Sequence, residues 1–430
     1  MTLRLRRLHA RQILDSRGRP TVEVDAELDD GSFGRASVPS GASTGSAEAH
    51  ELRDGDPACY AGLGVLKAVG HVDGEIGAAL RGRPVDDQRA LDARLRELDG
   101  TPRLARFGAN ATLAVSLAVC RAVACAHGQA LYERIAELAG ARPTLPLPMV
   151  NILSGGLHAG RGMDVQDFLA VPFGAATFAD AVHLAARVRA AADTALRERG
   201  LPTLLADEGG LGPGLASARD ALALMVEAIE RAGLRRGEDV AIAIDVAATS
   251  LHEGERYRLA REGRVLDGAG MVELLAGWAD AFPIVSIEDG LAEDDWPHWR
   301  RLTERLGARL QLVGDDLFAT QPERLARGVR EGIANAVLVK ANQNGTLSGT
   351  LDVAAQAQAA GYATIVSARS GETEDAFLAD LAVGAGAGQV KIGSLRTSNT
   401  LAKYNQLLRI EERSGAPYAG RAALAGAPRR

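Results

Sequence analysis

Five short apolar runs in the second half of the chain each finish on a charged residue: AIAID at Asp245, PIVSIE at Glu288, LQLVGD at Asp315, AVLVK at Lys340 and GQVK at Lys391. Three carboxylates in series offer oxygen-only ligands, the set that a hard divalent cation such as Mg²⁺ takes. A single strand-end acid more often caps a helix or pairs with an arginine. Three in succession, none followed by a helix-cap pattern, point to a metal instead. The two lysines end apolar strands, where an ammonium is expensive unless paired or used. Beside a metal-bound anion a lysine loses its proton more readily, because neighbouring cations lower its pKa, and it can then serve as a base. The chemistry implied is a magnesium site with a base beside it.

Other segments add to this set. LLADEGGLGPG places Asp207 and Glu208 before two glycines at what reads as another strand end, giving an exposed, mobile carboxylate that can act as a general acid opposite a lysine. VPSGASTG, residues 38–45, has the Gly/Ser/Thr content of a lid that can add oxygens to a metal or a phosphate. SGGLHAG, residues 154–160, sets His158 between glycines with access to a ligand. SARSGETED, residues 367–375, puts Arg369 and Ser370 at a strand end, where a guanidinium can hold phosphate bidentately. Taken singly, each of these segments also reads as an ordinary turn.

The elements that must position these residues follow from periodicity. Residues 1 to about 38 alternate as antiparallel strands, with a turn at Asp30-Gly31, and 58–130 is helical in period, as in DQRALDARLRELDG. ARPTLPLP, residues 141–148, is a proline-punctuated connector, which places a domain boundary there: an α+β domain over 1–140, then 141–430. From 150 to about 410, apolar strands alternate with amphipathic helices, the pattern of a buried parallel sheet closed as a (β/α)₈ barrel, whose chemistry sits at the C-terminal strand ends. The tail, AGRAALAGAPRR, is expected to fray. With 430 residues, 47% of them hydrophobic, the chain can bury a large core. A net charge of −6 with scattered basic residues argues against nucleic acid as a partner. Three cysteines without metal spacing suggest reduced thiols, and the N-terminus lacks the apolar region of a signal peptide, so a cytoplasmic location is expected. No run approaches 18 uninterrupted apolar residues, so no membrane span is expected.

Read together, ILDSRGRPTVEVD, VPSGASTGSAEAHELRDGD, DEGGLGP, IVSIEDGLAEDDW, KANQNGTLS, RSGETEDAFLADLAVG and LAKYNQLLRIEE resemble the enolase family over nearly the whole chain. The resemblance implies an α/β protein, with an N-terminal α+β domain followed by an enolase-type barrel, assembled as a dimer or a ring of dimers. It implies Mg²⁺-dependent dehydration of 2-phosphoglycerate to phosphoenolpyruvate, a small phosphorylated carboxylate being the substrate. By the same resemblance Asp245, Glu288 and Asp315 hold the first of two Mg²⁺ ions and Ser43 ligates the second. Lys340 is the base and Glu208 the acid. Lys391 holds the substrate carboxylate, Arg369 and Ser370 the phosphate, and His158 belongs to a mobile loop. Glu288, Asp315, His158 and Asp167 also border the substrate.

Two departures from that pattern touch the site, and smaller ones are Leu157 for the usual Ser before the loop histidine, Gly290-Leu291 for Pro-Phe and Asn344 for an apolar residue. The family's Ser-His-Arg-Ser is here Ser367-Ala368-Arg369-Ser370, and its Gln-Glu-Phe is Gln166-Asp167-Phe168. Losing one methylene retracts the carboxylate by about 1.5 Å, one C–C bond, which would disturb a network of direct hydrogen bonds. Both changes fall on the acid side, whereas the base side is intact. Ordinary enolase chemistry is the first expectation. A specialised paralogue with an altered elimination step, such as carboxyphosphonoenolpyruvate synthase, is the alternative, and a non-catalytic scaffold comes third.

Overall fold

The structure, a computed structural model, describes residues 2–41 and 45–426. The chain opens with three antiparallel strands in sequential order, β1 (Leu5–Leu14), β2 (Pro20–Leu28) and β3 (Phe33–Ser37). The alternation in PTVEVDAEL sends Val22, Val24, Ala26 and Leu28 into the core and turns Glu23, Asp25 and Glu27 away from it. The helix Ala109–Ala126 covers that inner face. A Cβ on Gly34 would lie 2.1 Å from the Ala118 carbonyl oxygen, so glycine is what lets sheet and helix approach this closely. By length and composition this helix could cross a membrane. Here it is 83% buried inside the protein, and Asn110, Ser116 and Arg121 interrupt its apolar run.

The second unit is a closed eight-stranded barrel built from β4 (Leu147–Ser154), β5 (Asp167–Val171), β6 (Ala241–Asp245), β10 (Ile284–Glu288), β11 (Gln311–Gly314), β12 (Ala336–Val339), β13 (Ala363–Ser367) and β14 (Gly388–Gly393). Between β6 and β10 the chain forms a small antiparallel sheet, β7 (His252–Glu253), β8 (Arg256–Leu259) and β9 (Arg264–Leu266). The sheet expected to be parallel throughout has one reversed member: β5 pairs antiparallel with both β4 and β6. The link from β4 to β5 holds only a one-turn 3₁₀ helix, Gly156–Ala159, and lacks the full helix that usually makes a parallel crossover. Reversal brings the first residue of β5, Asp167, opposite Asp245. An acid that a parallel strand would have carried at the far end therefore arrives at the catalytic mouth.

The barrel interior is filled by side chains including Leu147, Met149, Leu169, Val313, Leu338 and Ile365. Gln311 and Gln389 exchange amide hydrogen bonds of 2.9 and 2.8 Å inside it. The Ala/Gly/Pro-rich tail, expected to fray, departs from that reading before its end: Gly420–Ala423 form a 3₁₀ turn and Leu424 is buried against the barrel filling. Burial of one leucine and a hydrogen bond from Gln389 to the Ala423 carbonyl (2.8 Å) tie it down.

Candidate active site

Strand ends assemble one half of the site. Register sets Glu288 beside Asp245 on adjacent parallel strands, Asp315 follows β11 directly and Lys340 follows β12. Lys391 lies within β14 rather than at its end. Its Nζ donates to Asp245 Oδ2 at 2.8 Å and to the two Glu288 oxygens at 2.7 and 2.8 Å. Lys340 Nζ donates to Asp315 Oδ2. Gln166 Nε2 donates to Asp245 at 3.2 Å and Gln343 Nε2 to Asp315 Oδ1 at 3.0 Å, so the carboxylates are held from two sides.

All three acids are buried, and their charges interact strongly. Burial and the Asp245 charge push Glu288 well above the usual carboxylate range. Burial also works against the Asp245 and Asp315 anions, but Lys391 and Lys340 respectively outweigh it and hold both below that range. The sequence suggested that neighbouring cations would lower Lys340. The direction is the reverse: burial and Arg369 do act downward, but the contact with Asp315 prevails and raises it.

Loops and the reversed strand supply the other half. Asp167 Oδ1 accepts from Asn151 Nδ2 (2.7 Å) and Ser154 Oγ (2.8 Å), and its Oδ2 lies 2.9 Å from His158 Nδ1. The opposite ring nitrogen of His158 is 3.8 Å from Glu208 Oε1. The shorter Asp167 side chain thus still reaches the network it was expected to lose, because β4 and β5 pair directly and the turn carrying His158 folds back over them. Glu208 was read as a mobile carboxylate at a strand end. It is instead buried in a turn between the helices Phe178–Glu198 and Ala218–Arg231, its carbonyl accepting from Ser394 N at 2.8 Å. Burial raises the Glu208 pKa against the pull of His158. His158, expected to be open to ligand, is buried too. Burial opposes its charge, but Asp167 and Glu208 overcome it and hold its pKa up at about 9.

The third group lies where the two units meet. Arg369 Nη1 donates to Glu48 Oε2 at 3.0 Å and to Asn342 Oδ1 at 2.9 Å. Ser370 Oγ accepts from Arg17 Nη1 at 3.1 Å. Ser43 lies outside the described residues. Ala368 ends up buried beside the barrel, its amide bonded to the Lys391 carbonyl at 2.8 Å, with a methyl group where the family pattern has an imidazole.

Sequence reading missed Gln166, Gln343, Glu48 and Arg17. Gln166 and Glu48 stand inside quoted motifs, and Gln343 and Arg17 sit in KANQNGTLS and ILDSRGRP, but nothing in their spacing marks them as facing the site. It also missed Asp289, which with Asp315 and Asp316 brings three carboxylate oxygens within 4.8 Å of one another. Both Asp289 oxygens accept backbone amides, from Asp315 (2.9 Å) and Asp316 (2.8 Å), so this acid serves to fold the strand ends. His158, Asp167 and Glu208 likewise bring one ligand atom each within 4.8 Å of one another. Asp245, Glu288 and Asp315, the set named from the sequence, are not among the groups whose ligand atoms approach that closely; Lys391 and Lys340 bridge them instead. Their donors are all oxygen, the type a hard divalent cation takes, and Glu288, raised first by burial and then by the Asp245 charge, would gain from a cation beside it.

A closed barrel whose C-terminal mouth buries acids against lysines defines a (β/α)₈-barrel enzyme. The sequence model described as "Enolase, C-terminal TIM barrel domain" matches residues 142–426, and "Enolase, N-terminal domain" matches 5–135. The chain belongs to the enolase family and is an enolase-superfamily lyase. Proteins of this family bind a divalent metal, act on a small phosphorylated carboxylate and often form oligomers.

Proposed function

We propose that this chain catalyses the reversible dehydration of 2-phosphoglycerate to phosphoenolpyruvate. The observation that carries the proposal is the pairing of two buried sets at one barrel: Lys340 and Lys391 on Asp315, Asp245 and Glu288, and His158 between Asp167 and Glu208. In this reading Arg369 and Ser370 bind the phosphate, and Lys391 turns from Asp245 and Glu288 to the substrate carboxylate. Lys340 takes the proton from C2. The electron pair left behind spreads onto the substrate carboxylate and then forms the C2–C3 double bond as the C3–O bond breaks. Glu208, whose pKa burial raises, delivers a proton to the departing hydroxyl, which leaves as water. His158, held by Asp167, stands beside that carboxyl to steady its charge as the proton goes.

Asp245, Glu288 and Asp315 are the residues that would hold Mg²⁺, with Ser43 on a second ion. A divalent ion held there would offset the charge that grows on the substrate carboxylate, and Lys340 would then be released from Asp315 to act as the base. A lysine or histidine base beside one or two Mg²⁺ is the established pattern of such sites.

Ala368 favours one second reading. A methyl group leaves room for a bulkier or differently charged substrate, as in carboxyphosphonoenolpyruvate synthase. The connected Asp167 removes the other argument for that reading. The test follows phosphoenolpyruvate absorbance from 2-phosphoglycerate with Mg²⁺. Turnover within about tenfold of the roughly 10 s⁻¹ typical of enzymes supports the dehydration. Absence of turnover in wild type, restored in Ala368→His, would instead support a different native substrate.

A further inference from the structure

The proposed phosphate clamp is held by a side chain from the other unit of the fold. The turn after β1 is pre-folded: Asp15 Oδ1 accepts the amides of Arg17 (2.8 Å) and Arg19 (2.9 Å). This aims the Arg17 side chain into the junction, where it is only 6% exposed. Its guanidinium then makes three kinds of contact. Nη2 pairs with Asp15 Oδ2 at 3.2 Å, Nη2 also donates to the Ser40 carbonyl at 3.0 Å, and Nη1 donates to Ser370 Oγ at 3.1 Å. Ser40 and Gly371 exchange both backbone hydrogen bonds, each 2.9 Å, which locks the two segments in register around it. A Cβ on Gly371 would fall 2.3 Å from both Arg17 Nη2 and Asp15 Oδ2, so a side chain there would displace the guanidinium or its carboxylate partner.

We propose that Arg17 is a positioning residue for the anion-binding hydroxyl of Ser370. A serine hydroxyl has one proton and two acceptor positions. Arg17 has no acceptor, so it can only occupy a lone pair, and the Ser370 proton is thereby directed away from the guanidinium toward another acceptor. An anion such as the substrate phosphate, seated between Ser370 and Arg369, meets an oriented donor instead of a freely rotating one. The fork of donors matters as well as the charge, because one ammonium cannot reach Asp15, Ser40 and Ser370 together.

This inference rests on Arg369 and Ser370 as the phosphate clamp, and the experiment separates the two claims. Inorganic phosphate binding to the Mg²⁺-loaded protein is measured by calorimetry for wild type, Arg17→Lys, Ser370→Ala and the double variant, with KM and kcat for 2-phosphoglycerate alongside. Arg17→Lys keeps the charge beside buried Asp15 and preserves the fold, which the thermal midpoint checks. The expected result is that Arg17→Lys weakens phosphate about tenfold and raises KM by a like factor while kcat changes little. The double variant should then be no weaker than Ser370→Ala alone, because Arg17 acts through that hydroxyl. Additive losses, or phosphate binding unchanged in Arg17→Lys, would overturn the inference about Arg17. Unchanged phosphate binding in Ser370→Ala would overturn the clamp itself.

Discussion

The two halves of the site are built by different means. Asp245, Glu288, Asp315, Lys340 and Lys391 stand on or directly after barrel strands, which set their positions. His158, Asp167 and Glu208 come from a 3₁₀ turn, the reversed strand and an interhelical turn, and they meet because loops fold over the mouth. A strand-end side chain inherits its position from the sheet, so a change nearby must distort the barrel to move it. A loop-borne side chain depends on a few specific contacts, such as those from Asn151 and Ser154 to Asp167. Of the two departures at the site, Asp167 falls in the second half and still reaches Asn151, Ser154 and His158, whereas Ala368 lies against Lys391 of the first.

Substitutions should separate the halves by the step they stop. Lys340→Ala is expected to have the largest effect, a loss of roughly 10⁴-fold in turnover, together with exchange of the C2 proton. Retained C2 exchange would mean that another group is the base. Glu208→Gln should also lower phosphoenolpyruvate formation, by roughly 10²- to 10⁴-fold, while C2 exchange with solvent continues.

Asp167→Asn tests whether the acid half is a connected unit. Turnover should fall by roughly 10- to 100-fold, the scale of a small misplacement. The His158 pKa, observed by NMR, should drop from about 9 toward its ordinary value. Because the folded-state pKa is raised, the stability that His158 owes to Asp167 is fully present below its unfolded value of about 6.5 and is lost as pH rises through about 9. Denaturant midpoints of wild type and Asp167→Asn should therefore differ most in acid and converge in alkali. Parallel curves across that range would disconnect the pair. The smallest effect is expected from Ala368→His: turnover of 2-phosphoglycerate within about tenfold of wild type, equal to 1.4 kcal/mol. A much larger gain would shift the account to the specialised-substrate reading.

The same division governs what could be read without coordinates. Apolar runs ending on charge revealed β6, β10, β11, β12 and β14, because a buried strand writes its whole length into composition. The reversal of β5 was invisible, since DFLAV has the same apolar content in either direction. Glu208 was named from DEGG yet assigned to the wrong kind of element, and its burial depends on Ser394 and Gly393, which are remote in sequence. Shortening of Asp167 was visible as a letter, but its consequence depended on the β4–β5 pairing. Arg17 and Glu48 were hidden for a related reason: they act across the junction of two units, and no local pattern encodes what faces them.

One measurement bears on the central claim most directly: deuterium incorporation at C2 of 2-phosphoglycerate in D₂O with Mg²⁺, followed by NMR in Glu208→Gln and in Lys340→Ala. Two separable halves predict that Glu208→Gln incorporates deuterium while forming almost no phosphoenolpyruvate, and that Lys340→Ala does neither. Loss of exchange in Glu208→Gln together with its persistence in Lys340→Ala would contradict the assignment of base and acid.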